Sequence, residues 1–509
     1  MRVSGLLAHT ALISGVLAAP AFAITPEEVW TSWQELSASY GQKITTESVE
    51  QDGSDVVVTG LLLSQEDETA KVEGRLDQIT FADNGDGTVK ITLSETFPLT
   101  MTMTEAGKDP VTVNVTVSQP DATITASGDA ENTRYDFTVP EVTVALDGVE
   151  GVEEGELDLT VEAKLAEVAG NYLFGGPADK RTLDSAFTAK SLNVTVAGTD
   201  PDPTVAEGEE PGPSEVNFVI GMADLSGSTT GTILSPAIMA DLQAAMAAGL
   251  EATATFAAGA TTYDMTMVEA SGTTRIAGTG ESSSVDFGVG GSGMRYGGGA
   301  KTVDMTFSSP DIPFPELKLS YAEAAFNLLL PLAKTEEPAD FAFLTKLVDL
   351  KVSDEIWGMF DPGAVLPRDP ATIVIDTKGK AKVTADISDP AAMSEGTPPG
   401  ELHALDVTEL RASVAGAELT GSGAFTFDNT DTVTFGGMPA PTGKLDLRLV
   451  GGNGLMQKLV TLGILSEEDV MGANMMLSMF ANPGPGEDEL SSTLEFKDKG
   501  FYANGQRLQ

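Results

Sequence analysis

The feature that most constrains this chain is a period-two alternation of apolar and polar residues, repeated along most of its length. Val111-Thr112-Val113-Asn114-Val115-Thr116-Val117 is its clearest stretch. Leu157-Asp158-Leu159-Thr160-Val161, Leu192-Asn193-Val194-Thr195-Val196, Leu317-Lys318-Leu319 and Leu445-Asp446-Leu447-Arg448-Leu449 repeat it. Successive side chains of an extended strand point to opposite faces, so such a segment has one face for apolar contact and one for water. The Thr and Val content favours strand over helix. Turn residues follow at short intervals, at Asn84-Gly85-Asp86-Gly87, Lys378-Gly379 and Lys499-Gly500, and a tight turn can join only antiparallel neighbours. The expected fold is mainly β with accessory helices: an elongated, mostly antiparallel sheet, arranged as an open groove or a sandwich.

Helices are few. Thr25-Pro26-Glu27-Glu28 is a capping box with Pro at the first helical position, followed by Val29, Trp30, Trp33, Leu36 and Tyr40. Residues 236–249 read as a second helix. Residues 323–333, 340–350 and 353–360 read as a third, broken group, and 454–465 with 467–480 as the last. The last two groups share Lys346-Leu347-Val348 with Lys458-Leu459-Val460, and Ser353-Asp354-Glu355 with Ser466-Glu467-Glu468. Each is followed by an expected hairpin, at 372–379 and at 493–500. The C-terminal half is therefore expected to hold two helix-pair plus hairpin units related by duplication.

The amino terminus addresses the chain. Arg2 is the only charge before Glu27, residues 6–18 are mostly apolar, and Ala21-Phe22-Ala23 is a small-x-small site. Residues 1–23 read as a signal peptide whose cleavage leaves Ile24 first. The apolar core falls short of the roughly 20 residues that span a bilayer, so a periplasmic protein with no retained transmembrane anchor is expected. The remainder divides into an N-terminal helix and β-rich region (24–200), an acidic Pro-rich linker (201–214), a middle β region with one helix (215–311) and the C-terminal β region (312–509). A second acidic Pro-rich stretch, 388–400, falls inside the last.

Composition removes several chemistries. With no cysteine among 509 residues, disulfides, thiolate zinc sites and thiol catalysis are excluded. The formal net charge of −47, from 29 basic and 76 acidic residues, repels phosphate backbones and anionic membrane surfaces. No nucleic-acid partner is expected. His9 leaves with the signal peptide, so His403 is alone, on an apparent strand and with no G-x-S-x-G elbow to serve. Asp83, Asn84 and Asp86 space oxygens as a calcium loop does, but the loop's twelfth position is Ser94 and a strand follows. The same residues suit a tight hairpin. Gly288-Val289-Gly290-Gly291-Ser292-Gly293 matches G-x-G-x-x-G without a helix after it, and reads as a turn. Met471, Met475, Met476 and Met479 could ligate a soft metal, but their spacing with Val470, Leu477 and Phe480 reads as the buried face of a helix. Trp30, Trp33 and Trp357 all fall in helical segments, so no sugar-stacking platform is signalled.

The C-terminal half carries a family pattern. A strand over 409–419 precedes Gly421-Ser422-Gly423-Ala424-Phe425-Thr426-Phe427-Asp428. Pro441-Thr442-Gly443-Lys444-Leu445-Asp446-Leu447, the helix 455–465, Leu494-Glu495-Phe496-Lys497-Asp498-Lys499-Gly500 and Asn504-Gly505 follow. This resembles the bacterial domain-of-unknown-function family 2125, over most of the chain and more clearly after about Ile312. The resemblance implies a Gram-negative envelope protein of unassigned activity and carries no catalytic signature. A looser likeness is to AsmA-like envelope proteins, whose repeated strands make a groove for lipid; this chain departs from them in lacking a retained anchor.

The expectation is a non-catalytic envelope protein, without cofactor, whose one-sided sheet holds a lipid or other apolar ligand. A structural module that binds an envelope protein partner, and a carboxylate-based hydrolase, are the alternatives.

Overall fold

The computed structural model describes residues 23–509 apart from 40, 68, 105–108, 130, 152–157, 177–179, 201–213, 240, 292 and 386–399. All of the expected signal peptide but Ala23, and nearly all of both Pro-rich stretches, lie outside the described residues.

The chain opens with helix α1 (Pro26–Ser39). Its capping box forms as expected: Thr25 N donates to Glu28 Oε2 at 2.9 Å and Glu28 N donates to Thr25 Oγ1 at 3.3 Å. One continuous antiparallel sheet follows. Short strands β1 (Lys43–Thr45) and β2 (Ser48–Asp52) lie side by side on β3 (Asp55–Glu66), which pairs with β4 (Ala70–Asp83). Two rows of half-length strands come next. These are β5 (Val89–Leu93) and β6 (Thr96–Met103) on β4, then β7 (Val111–Ser118) on β6 and β8 (Thr123–Gly128) on β5. Long β9 (Thr133–Glu150) spans both β7 and β8, and β10 (Asp158–Gly175), β11 (Arg181–Asp200) and β12 (Ser214–Ile233) continue the meander. Either side of 201–213, β11 and β12 pair along their length, ending on Asp200 with Ser214.

The same topology then recurs. Between β12 and β13 lie the short helices α2 (Pro236–Met239) and α3 (Leu242–Ala247), in place of the single expected helix. Strands β13 (Ala252–Ala258) and β14 (Thr261–Glu269) sit side by side on β12; β15 (Gly272–Gly280) pairs with β14 and β16 (Ser282–Gly290) with β13. Long β17 (Gly293–Ser308) spans both. A long strand, four half-strands nested as two pairs, and a long strand thus occur twice, at β4–β9 and β12–β17. The G-x-G-x-x-G run is the reversal from β16 to β17, where Gly290 opposes Gly293.

Strands β18 (Leu317–Leu330), β19 (Ala339–Val352), β20 (Ala371–Val383), β21 (Gly400–Val414), β22 (Ala417–Asp428) and β23 (Ala440–Val450) extend the sheet. Helix α4 (Asp354–Phe360) follows β19, and α5 (Gly452–Thr461) and α6 (Glu467–Phe480) follow β23. The sheet ends with β24 (Asn482–Pro483), β25 (Glu489–Lys497), β26 (Gly500–Ala503) and β27 (Gln506–Arg507).

Three C-terminal expectations need correction. Residues 323–330 and 340–350 are strand, and 331–333 are not helical either, so Lys346-Leu347-Val348 lies in β19 while Lys458-Leu459-Val460 lies in α5. Lys378-Gly379 is strand interior rather than a turn. Gly379 is there because a Cβ would stand 2.6 Å from Phe341 Cε1, whose ring lies against it. The expected duplication of helix-pair plus hairpin units therefore fails; only the second unit, α5, α6 and the β25–β26 hairpin, has that form. Ser466 caps α6 through a full capping box with Asp469, whereas Ser353 makes no side-chain cap to α4 and accepts instead from Lys318 N at 3.2 Å.

A line of left-handed residues crosses the sheet. Gly60 (φ 60), Glu167 (φ 50), Asp224 (φ 51), Thr302 (φ 50) and Asp349 (φ 55) lie in β3, β10, β12, β17 and β19. At each, the apolar phase of the strand changes. In β12 the apolar positions are Phe218, Ile220 and Met222 before Asp224, then Leu225 after it; in β11 they are Phe187 and Ala189, then Leu192, Val194 and Val196. The ion pairs of the opposite face change phase at the same residues. Asp264–Arg275 lies to one side of the line; Asp286–Arg295 and Glu323–Lys346 lie to the other. One sheet face thus stays apolar throughout.

On that apolar face the residues beside the line are buried: Leu61, Val139, Ala189, Leu225, Ala258 and Val303. On the other face, Asp77, Glu167, Asp224, Glu281 and Asp349 are exposed, and Lys190 Nζ bridges Glu167 Oε1 at 2.6 Å. Burial on one side of a line and exposure on the other is the mark of a crease. The sheet folds along it toward its apolar face, giving a trough with two walls.

Candidate ligand-binding face

Both ends of the trough are filled. Under α1, Val29, Trp30 and Trp33 pack on Val58, Ile79, Phe81, Ile91 and Tyr135, with Trp33 edge-on to Phe81 at 5.3 Å. Burial raises the Tyr135 hydroxyl pKa above the ordinary tyrosine value. At the far end, Trp357 of α4 packs with Leu366 and Ala415, against Leu455, Leu459 and Leu462.

Between the ends the apolar face has no covering layer among the described residues. Registers there align apolar side chains strand after strand. Val161 opposes Val196, which opposes Phe218, then Met265, Ile276, Phe307 and Leu317. Val144, Ala163, Val194, Ile220 and Tyr263 form a parallel row. These side chains are half-buried. On the other wall Phe287, Tyr296, Leu328 and Phe343 oppose one another in turn. Phe287, Tyr296 and Phe343 are each about two-fifths exposed, at 38%, 44% and 42%. Phe137 stacks on Tyr172 at 5.5 Å and Tyr296 meets Phe326 at 5.0 Å. Gly227 stands between the rings of Phe187 and Phe256 on the neighbouring strands. A Cβ at Gly227 would stand 2.2 Å from Phe187 Cε1.

A closed two-layer sandwich would bury both walls. Instead, among the described residues, the rings and branched chains of the strands between the two filled ends face an open channel along the ribbon.

The polar candidates do not converge on this face. Asp83, Asn84 and Asp86 lie at the β4–β5 turn, where their side chains serve the turn. Gly85 N donates to Asp83 Oδ1 at 2.8 Å, Asn84 Nδ2 to Thr88 Oγ1 at 2.9 Å, and Thr88 Oγ1 to Asp86 Oδ1 at 2.6 Å. The Thr88 hydroxyl holds the Asp86 carboxyl below its ordinary pKa. Among the described residues, no group of three or more His, Asp or Glu side chains is placed to hold a metal ion. His403 sits on β21 as expected, its Nε2 3.4 Å from Glu401 Oε2. The methionines of α6 contradict their sequence reading. Met471, Met475, Met476 and Met479 are 57–66% exposed, while Val470 is buried. The helix packs by its Val470 side, so the sulfur side faces water.

Residues 333–505 match the family model described as an uncharacterized protein conserved in bacteria, DUF2125. The match covers 173 of the 509 residues. No curated protein matches it. The DUF2125 region begins just before β19 and carries the α4 end-cap, α5, α6 and the strands to β26. The match is shorter than the resemblance read from the sequence, and the apolar rows of Val194, Phe218 and Ile220 precede it. No helix among the described residues is long and apolar enough to cross a membrane.

Proposed function

We propose that this protein is exported to the bacterial periplasm and, without catalysis, holds the acyl chains of a lipid or a similar extended apolar ligand along the creased sheet. One observation carries the reading: the apolar rows run from strand to strand, and among the described residues no layer lies above them between the two filled ends. An acyl chain that buries roughly ten methylenes at ~0.8 kcal/mol each gains on the order of 8 kcal/mol. Before ordering losses that corresponds to about micromolar binding, so a long face without a deep pocket suffices. The outer face, with its ion pairs and surplus carboxylates, keeps the protein soluble while the inner face is apolar.

Native mass spectrometry and solvent extraction of the protein purified from a periplasmic fraction test this reading. The expected result is co-purifying apolar ligand on a chain that starts at Ile24. Ligand-free protein that also fails to take up a long-chain fatty acid ends the proposal.

A further inference from the structure

The exposed methionines of α6 have no role in the trough. They lie outside its buried clusters. At 100° per residue, Met479, Met475 and Met476 stand about 180°, 140° and 240° round the helix from Val470, on the side away from the sheet. The apolar residues of this helix are sorted by type: Val470 is buried, Leu477 is half-buried, and the exposed large ones are methionine. A helix that needed only apolar surface on its outer side could use Leu, which the inner side accepts. The outer side instead presents sulfur.

We propose that α6 is a thioether site for a soft monovalent cation, Cu(I) or its redox-inert analogue Ag(I), held by Met475, Met476 and Met479. Residues three and four apart on a helix have Cβ atoms about 5–6 Å from each other, and three rotatable bonds let each sulfur swing to a common point. Met479 is four residues from Met475 and three from Met476, so one ion can meet all three. Neutral thioethers favour Cu(I) over hard cations, and no Cys exists in the chain to compete. Met471 stands one turn before Met475 as a reserve ligand. The acidic first turn, Glu467, Glu468 and Asp469, and the net charge of −47 raise the local concentration of cations.

Titration of the full chain with Ag(I), and anaerobically with Cu(I), tests the site by calorimetry and by X-ray absorption at the metal edge. The variant M471L/M475L/M476L/M479L keeps the apolar volume of the helix, and circular dichroism checks its fold. M101L/M103L, which removes two exposed methionines of β6, serves as control. The native chain and the control should bind about one ion with sulfur in the first shell, and the α6 variant should lose roughly tenfold or more in affinity. No binding by the native chain, a shell of oxygen or nitrogen alone, or binding by the α6 variant within tenfold of the control overturns the proposal. A methionine face that serves only as a protein contact gives the first of these outcomes.

Discussion

Ile220→Asn should lower the lipid carried by this protein about tenfold, while Val219→Asn, one residue away, should leave it unchanged. Ile220 lies in the apolar row between Val194 and Tyr263, whereas Val219 lies on the outer face between Thr195 and Asp264. An amide placed under an acyl chain forfeits roughly 1–3 kcal/mol when it finds no partner there, and 1.4 kcal/mol is about a factor of ten. Neither residue is buried, so the stability of the two variants should stay similar. Quantified lipid extraction of both proteins decides. Equal loss in both, or in neither, would show that the faces are not distinguished by the ligand.

Phe81→Ala should destabilise the α1 end by about 3–5 kcal/mol, the range for emptying a fully buried aromatic site. Phe81 is 0% exposed and receives Trp30 at 5.8 Å and Trp33 at 5.3 Å. The cavity would open beneath α1, at the centre of the cluster that holds the helix on the sheet. Phe326→Ala is the matched comparison: its ring is 39% exposed on the open wall, and its loss should change stability by less than about 1 kcal/mol. Because strands here depend on their neighbours rather than on one central core, unfolding should be local. Urea titration followed by tryptophan fluorescence and by hydrogen exchange should shift α1 and β3–β9 in Phe81→Ala and leave the DUF2125 region in place. A uniform shift along the chain would contradict the separate end-clusters.

The sheet was legible in the sequence because its alternation is regular over many strands, and its long hairpins follow from that alone. The crease was not. At Thr302 and Asp349 the alternation slips by one residue, so in β18 the inward positions run Leu319, Tyr321, Ala324, Phe326 and Leu328. One step of three within steps of two imitates helical spacing, and Ala, Leu and Glu add helical propensity. Pairing with β17 and β20 overrides both, which is why 323–330 and 340–350 read as helical and fold as strands. The methionines of α6 misled for a different reason. A stripe at helical spacing shows that a helix has an apolar side but cannot say which side meets the sheet, and Val470 with Leu477, seven residues apart, makes a second stripe opposite the first. The uncovered face could be named only as one of two arrangements, since groove and sandwich require the same alternation. What decides between them is that, among the described residues, no second layer lies over Val194, Ile220 and Phe218, a property of the assembled sheet.

The most direct test of the account is photolabelling with a diazirine-bearing long-chain fatty acid, followed by mass-spectrometric mapping of the adducts. The trough predicts adducts on Val194, Phe218, Ile220, Met265 and Phe307, with Thr195, Val219 and Asp264 unlabelled. Adducts spread evenly over both faces, or confined to the methionines of α6, would contradict it.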